Sequence, residues 1–298
     1  MGANNLTKPN AIELFHNPTC LSFYQRTPMK KSLLLLTAAA LALLATGTAS
    51  AQEWATTKLK ASRRHGEWVK VKHDSREVEA FVTYPEVKDK VPAVIVIHEI
   101  FGLSDWARLA ADEVAEAGYI AIAPDLLSGA GPNGGGTSSF AGGEVGKAIR
   151  DLKPDQKTAD LNAILDYVAK LPSCNGKVVV MGFCWGGSET FRFATENKDI
   201  KAALPFYGSG PTDATAIARI KCPVYGFYGG NDNRVTSTVA KSTDLMLAAG
   251  KVYEPVIYEG AGHGFMRGGE PEAPNATAAD KKARTEAWDR IKKILKGL

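Results

Sequence analysis

Three residues in this chain could do nucleophilic chemistry as a set: Cys184, Asp232 and His263. Cys184 lies in "VVVMGFCWGG" (Val178–Gly187), where a run of β-formers ends in a glycine, followed by the cysteine, a bulky residue and two more glycines. The G-x-C-x-G pattern, after a strand and opening a helix, is the cysteine form of a nucleophile elbow, a sharp turn that holds the reactive group above a sheet. Side chains at the flanking positions would collide with neighbouring elements, which accounts for the glycines. A helix N-terminus also favours the thiolate, the reactive form of the thiol. A nucleophile so placed needs a base and a group to orient the base. Asp232 follows "VYGFYGG" and His263 sits in "GAGHGF". An aspartate after a strand is usually a turn former, and a histidine between glycines is often a plain loop residue. The order nucleophile, acid, histidine, each after a separate strand, makes a working triad the better explanation.

The elements that must position these residues are legible as alternating strands and helices. "WVKVK" and "EAFVTYP" read as an opening hairpin, and "AVIVIH" and "IAIAPDL" as buried parallel strands. "DWARLAADEVAEAGY" has helical spacing with Ser104 as N-cap, and "ADLNAILDYVAKL" is an amphipathic helix. Then follow the strand "KVVVMG", a helix after Cys184, "AALPFYG", "CPVYGFYGG", a helix around Thr236–Ala249, "VYEPVIYEG" and a charged terminal helix from about Thr277. The predicted fold class is α/β, a mostly parallel sheet with helices on both faces. In such a sheet ligands meet the carboxyl ends of the strands, where all three candidate residues fall. Leu127 to Gly146 is glycine-rich and reads either as a mobile surface loop or as a lid. No phosphate-loop pattern is met.

Residues 52–298 are expected to form one domain. Residues 29–51 read as a signal peptide: Lys30 and Lys31, then the apolar stretch Leu33–Ala45, then Ala49-Ser50-Ala51 as cleavage site. The stretch is shorter than the ~20 residues of a spanning helix, so a secreted or periplasmic protein beginning at Gln52 is expected, free of the membrane after cleavage. Residues 1–28 precede a good signal peptide and read as a non-structural extension, with translation starting at Met29. Residues 1–51 hold four of the 36 basic residues and one of the 32 acidic ones, leaving 32 against 31 in the remainder. That balance offers no footprint for nucleic acid or an anionic surface. Cys174 and Cys222 each precede a strand, with "AALPFYG" between them in sequence. Neighbouring strands in that order would hold them about two spacings apart, roughly 9.5 Å, beyond the ~7 Å a disulfide tolerates. Both read as buried free thiols.

"IHEIFGLSDWARLAADEVAEAGYIAIAPDL", "MGFCWGG", "YGGNDNRV" and "GAGHGF" together resemble the dienelactone hydrolase family of the α/β-hydrolase fold. The resemblance implies Cys184 as nucleophile, His263 as base, Asp232 as its partner, and Glu99 in contact with the resting thiol. It implies an oxyanion hole from the backbone N–H groups of Ile100 and Trp185, and a substrate-binding role for Arg267. The family's second arginine falls on Gly142, so it has no counterpart in register. The implied protein is a hydrolase of small-molecule carboxylic esters or lactones, without cofactor or metal, and a monomer is expected. A binding protein on the same scaffold competes with this reading, and the intact triad argues against it. A thiol redox role would call for a C-x-x-C, which does not occur.

Overall fold

The computed structural model describes residues 53–298. The extension, the signal peptide, Gln52 and Cys20 lie outside them. Residues 53–61 form a helix, α1. An eight-stranded sheet follows with the order β1-β2-β4-β3-β5-β6-β7-β8. Strands β1 (Gly66–His73) and β2 (Arg76–Thr83) make the expected hairpin, and β2 runs antiparallel to β4 (Ile120–Pro124). From β4 onward the pairings are parallel, through β3 (Val91–Ile97), β5 (Cys174–Phe183), β6 (Ala202–Phe206), β7 (Val224–Gly229) and β8 (Tyr253–Tyr258).

The central strands are apolar on both faces because both faces are covered. Along β3, Val94 and Val96 join the core of one face, whereas Ala93, Ile95 and Ile97 join that of the other. This is the period of two that an extended chain imposes. Helices α2 (Asp105–Glu116) and α10 (Ala278–Lys296) pack on the first face; α4 (Pro154–Ala169), α5 (Trp185–Glu196) and α8 (Val239–Ala248) pack on the second. The caps are as the residues dictate: Ser104 accepts from the Ala107 N–H, and Thr277 from that of Asp280. A short helix, α3 (Val145–Asp151), precedes α4, and α6 (Ala214–Ala218) follows β6.

The helix expected around Thr236–Ala249 is α8, and a separate short helix, α7 (Asn233–Thr236), precedes it. Between the two, the Thr236 and Thr238 hydroxyls donate to the Gly229 and Val235 carbonyls, which keeps α7 from running on into α8. Cys174 and Cys222 are buried and unpaired, with β6 between their strands; burial pushes the Cys222 thiol up to about 11. Among the described residues no helix is long and apolar enough to cross a membrane.

The chain order reverses at β3, which has β4 on one side and β5 on the other. Ile97 is in register with Gly182. The carboxyl ends of β3 and β5 therefore lie side by side at the topological switch point, where open α/β sheets bind ligands.

Candidate active site

At the end of β5 the chain turns through Cys184, whose backbone (φ 56°, ψ −115°) lies outside the regions favoured by residues with a Cβ. Holding it there costs on the order of 1–3 kcal/mol, and close approach by glycines makes it possible. A Cβ on Gly182 would lie 2.3 Å from the Gly186 carbonyl oxygen, and one on Gly186 would lie 2.4 Å from the oxygens of Ile97 and His98. The elbow is thus pressed against the end of β3.

His263 comes from the loop between β8 and the short helix α9 (Phe265–Gly268). Its Nε2 stands 3.1 Å from Cys184 Sγ, and its Nδ1 2.5 Å from Asp232 Oδ2. Asp232 is buried just past β7. The hydrogen bond with Cys184 raises the pKa of His263; burial pulls the other way, and Asp232 adds to the rise. The Tyr207 ring meets the imidazole edge-on at 5.1 Å, and Arg234 Nη2 lies 3.4 Å from Nδ1.

Glu99 follows β3 and is 3 % exposed. The thiol contact expected for it is not made: its Oε2 accepts from Arg267 Nε at 3.0 Å, while the thiol faces His263. The reason is electrostatic. A carboxylate withdrawn from water needs a counter-charge more than it needs a weakly polar thiol. Burial raises the Glu99 pKa and Arg267 opposes the rise. Arg267, on α9, keeps 32 % of its side chain exposed and lies over the Phe101 ring at 5.5 Å. Arg150, on α3, is exposed, and a Cβ on Gly146 would lie 3.6 Å from both its Nη1 and Ile100 Cγ1. A second cation therefore lies on the helix that packs beside the Ile100 side chain, eight positions from Gly142.

Among the described residues, the backbone N–H groups of Ile100 and Trp185 donate to no protein acceptor. Trp185 opens α5, where the first N–H groups have no intrahelical partner. A thiol, an imidazole and a carboxylate in line can pass a proton from sulfur to nitrogen, and N–H groups without a protein acceptor are free to receive a developing oxyanion. No group of three or more His, Cys, Asp or Glu among the described residues is arranged to hold a metal ion.

Several neighbours of this site leave little trace in the sequence. Tyr207 sits at φ 37° after β6 with its buried hydroxyl unpartnered, and its only trace was its place at a strand end. Arg234 stands beside Asp232 in "NDNRV", where a charge reads as solvated. His98, buried and stacked on Trp185 at 5.5 Å, read as the end of an apolar strand.

Residues 78–298 match the dienelactone hydrolase family. The carboxymethylenebutenolidase homologue of Escherichia coli (strain K12) is 33% identical over 225 residues, 70% of this chain and 80% of the relative. That of Saccharolobus solfataricus is 30% identical over 257 residues, 75% of this chain and 95% of the relative. Among solved structures, a dienelactone hydrolase homologue from Klebsiella pneumoniae superposes with a TM-score of 0.66 at 24% identity, covering 77% of this chain and 97% of that one.

Proposed function

From the premise that the chain belongs to the dienelactone hydrolase family and is a carboxylic ester hydrolase, we propose that it works through a Cys184–His263–Asp232 triad and a thioester intermediate. The observation that carries this reading is the line of contacts from Cys184 Sγ through His263 to Asp232, at 3.1 and 2.5 Å. His263 Nε2 takes the thiol proton as Sγ bonds to the substrate carbonyl carbon. The carbonyl π pair moves to oxygen, which is held by the N–H groups of Ile100 and Trp185. Collapse breaks the ester C–O bond, and the alkoxide leaves with the proton from His263. Water then attacks the thioester, giving its proton to His263, and the second collapse releases the carboxylic acid and restores the thiol. In a lactone the expelled alkoxide stays tethered, and one hydroxy acid results.

The name of the relatives' substrate describes a lactone bearing a carboxylate. Arg267, beside Glu99, and Arg150, on the helix beside Ile100, fit such a substrate, because guanidinium groups bind carboxylates through charge-assisted hydrogen bonds. The substrate class we propose is therefore an acidic ester or lactone.

Turnover of lactones and aryl esters by the purified protein and its cysteine variants tests the mechanism. Cys184→Ala should abolish hydrolysis and still fold. Cys174→Ala and Cys222→Ala, far from the elbow, should keep activity while losing some stability through packing. Wild-type hydrolysis by Cys184→Ala would sink the mechanism.

A further inference from the structure

The glycine-rich segment after β4 is pinned to the turn that carries Ile100. Asp125, next after β4, is 6 % exposed, and its carboxylate is fully engaged by this segment. Oδ2 accepts from the Thr137 N–H at 2.7 Å; Oδ1 accepts from the Thr137 hydroxyl at 2.7 Å and from the Leu127 N–H at 3.0 Å. With its proton committed to Asp125, the Thr137 hydroxyl has lone pairs to offer, and it accepts from the Leu103 N–H at 3.1 Å. Leu103 follows a β-turn closed by the Gly102 N–H on the Glu99 carbonyl at 3.1 Å, with Ile100 and Phe101 as its central residues. Gly102 has φ +72°, and a Cβ there would lie 2.4 Å from Thr137 Oγ1. The approach is thus as close as a glycine permits.

The other end of the turn is held independently. His98 Nδ1 lies 2.8 Å from the Glu99 carbonyl oxygen, and the His98 ring stacks on Trp185. The turn that presents the Ile100 N–H is therefore gripped at its start by His98 and at its end by Thr137.

We infer that Thr137, held by Asp125, is a positioning residue for the Ile100 oxyanion donor. The inference rests on the mechanism proposed above. Through Thr137, segment 127–146 acts as a strut under the oxyanion turn. An oxyanion donor is useful only when its N–H meets the position that the tetrahedral oxygen will occupy, and a displacement of about 1 Å costs on the order of 10²-fold in rate. A pin with one hydrogen bond just past the turn and two on a buried carboxylate restrains that position.

Thr137→Val keeps the side-chain shape and removes both hydroxyl hydrogen bonds. It should lower kcat by about 10- to 100-fold, less than the ~10²–10³ of losing a donor outright, with KM little changed. Alkylation of Cys184 by iodoacetamide displaces iodide and forms no oxyanion, so its rate should stay at the wild-type value. Thr137→Ser retains the hydroxyl and should restore most of kcat. Asp125→Asn attacks the pin from its other end, with the same expected split, and serves if the valine variant does not fold. A Thr137→Val enzyme with wild-type kcat would overturn the positioning role. So would alkylation that slows in step with turnover, or a serine variant as slow as the valine one. Turnover that persists in Cys184→Ala would overturn the underlying mechanism instead.

Discussion

A carboxylate as buried as Glu99 is costly unless a cation sits on it, and Arg267 is the cation in reach. Removing one partner of such a pair leaves an uncompensated charge in the interior, which typically costs about 3–5 kcal/mol when both are buried. Arg267 retains 32 % of its side-chain exposure, so Arg267→Ala should destabilise by the lower end, about 3 kcal/mol in urea unfolding. Glu99→Gln combined with Arg267→Ala should recover most of that loss, because the neutral amide needs no counter-charge. A double variant as unstable as the single one would show that the cost lies in packing. Arg267→Ala should also discriminate among substrates, raising KM for acidic esters more than for neutral ones. At this scale Cys184, Asp232 and His263 were legible, since each has a strand end and a glycine context that survive in one dimension. The partner of Glu99 was not: 168 positions separate it from Arg267, and which group neutralises a buried charge depends on what the fold brings near.

Strands and long helices are legible as periodicity, and the structure keeps them because period two and period 3.6 follow from backbone geometry alone. Charges on helices are another matter, since a charged residue on an amphipathic helix reads as solvated. Several of them are not, and one buried set links three helices. Glu113 of α2 and Glu270, just past α9, both bond Arg284 of α10, and Lys58 of α1 lies 2.9 Å from Glu270 and 3.9 Å from Glu113. Glu272 is also within 3.6 Å of Lys58. Burial pushes the Glu113 carboxyl up to about 8, with Arg284 opposing and Glu270 reinforcing the shift. Burial works against Glu270 as well, but the hydrogen bond from Glu113 and the charges of Arg284 and Lys58 hold it below the usual range. Between the ordinary 4.5 and about 8 the folded protein keeps a proton on Glu113 that the unfolded chain has lost. The unfolded state then binds fewer protons, so this residue makes stability fall as pH rises through that window. Glu270 contributes only below it, with the opposite sign. Glu113→Gln keeps the hydrogen-bonding shape without the titration. Its melting temperature should decline less than that of the wild type from pH 5 to 8, and parallel curves for the two proteins would rule the shared proton out.

On the scale of the whole molecule, two features bear on where the leader would be removed. In sequence, the small-residue site ends at Ala51. In the structure, the chain is part of the fold almost at once afterwards: Ala55 is fully buried, Trp54 packs against the core beneath α2 and α10, Thr56 bonds Asp105, and Lys58 joins the buried carboxylates. Cleavage between Ala51 and Gln52 would therefore leave every one of these contacts in place, whereas a cut only a few residues later would remove them. We propose export with processing at that bond; residues 1–51 hold three of the four net positive charges, so the remaining enzyme is nearly neutral. Mass spectrometry of the protein recovered from a bacterial host should find Gln52 at the N-terminus. An intact 29–51 segment in a membrane fraction would mark an anchor instead. The fold supplies an independent check on the same boundary. A protein starting at Gln52 should melt with the naturally processed one, and one starting at Ser62 should be less stable by about 2 kcal/mol, the order of burying one large apolar side chain. Equal stability of the two would mean that α1 is dispensable, and that nothing in the fold restrains where the leader is cut.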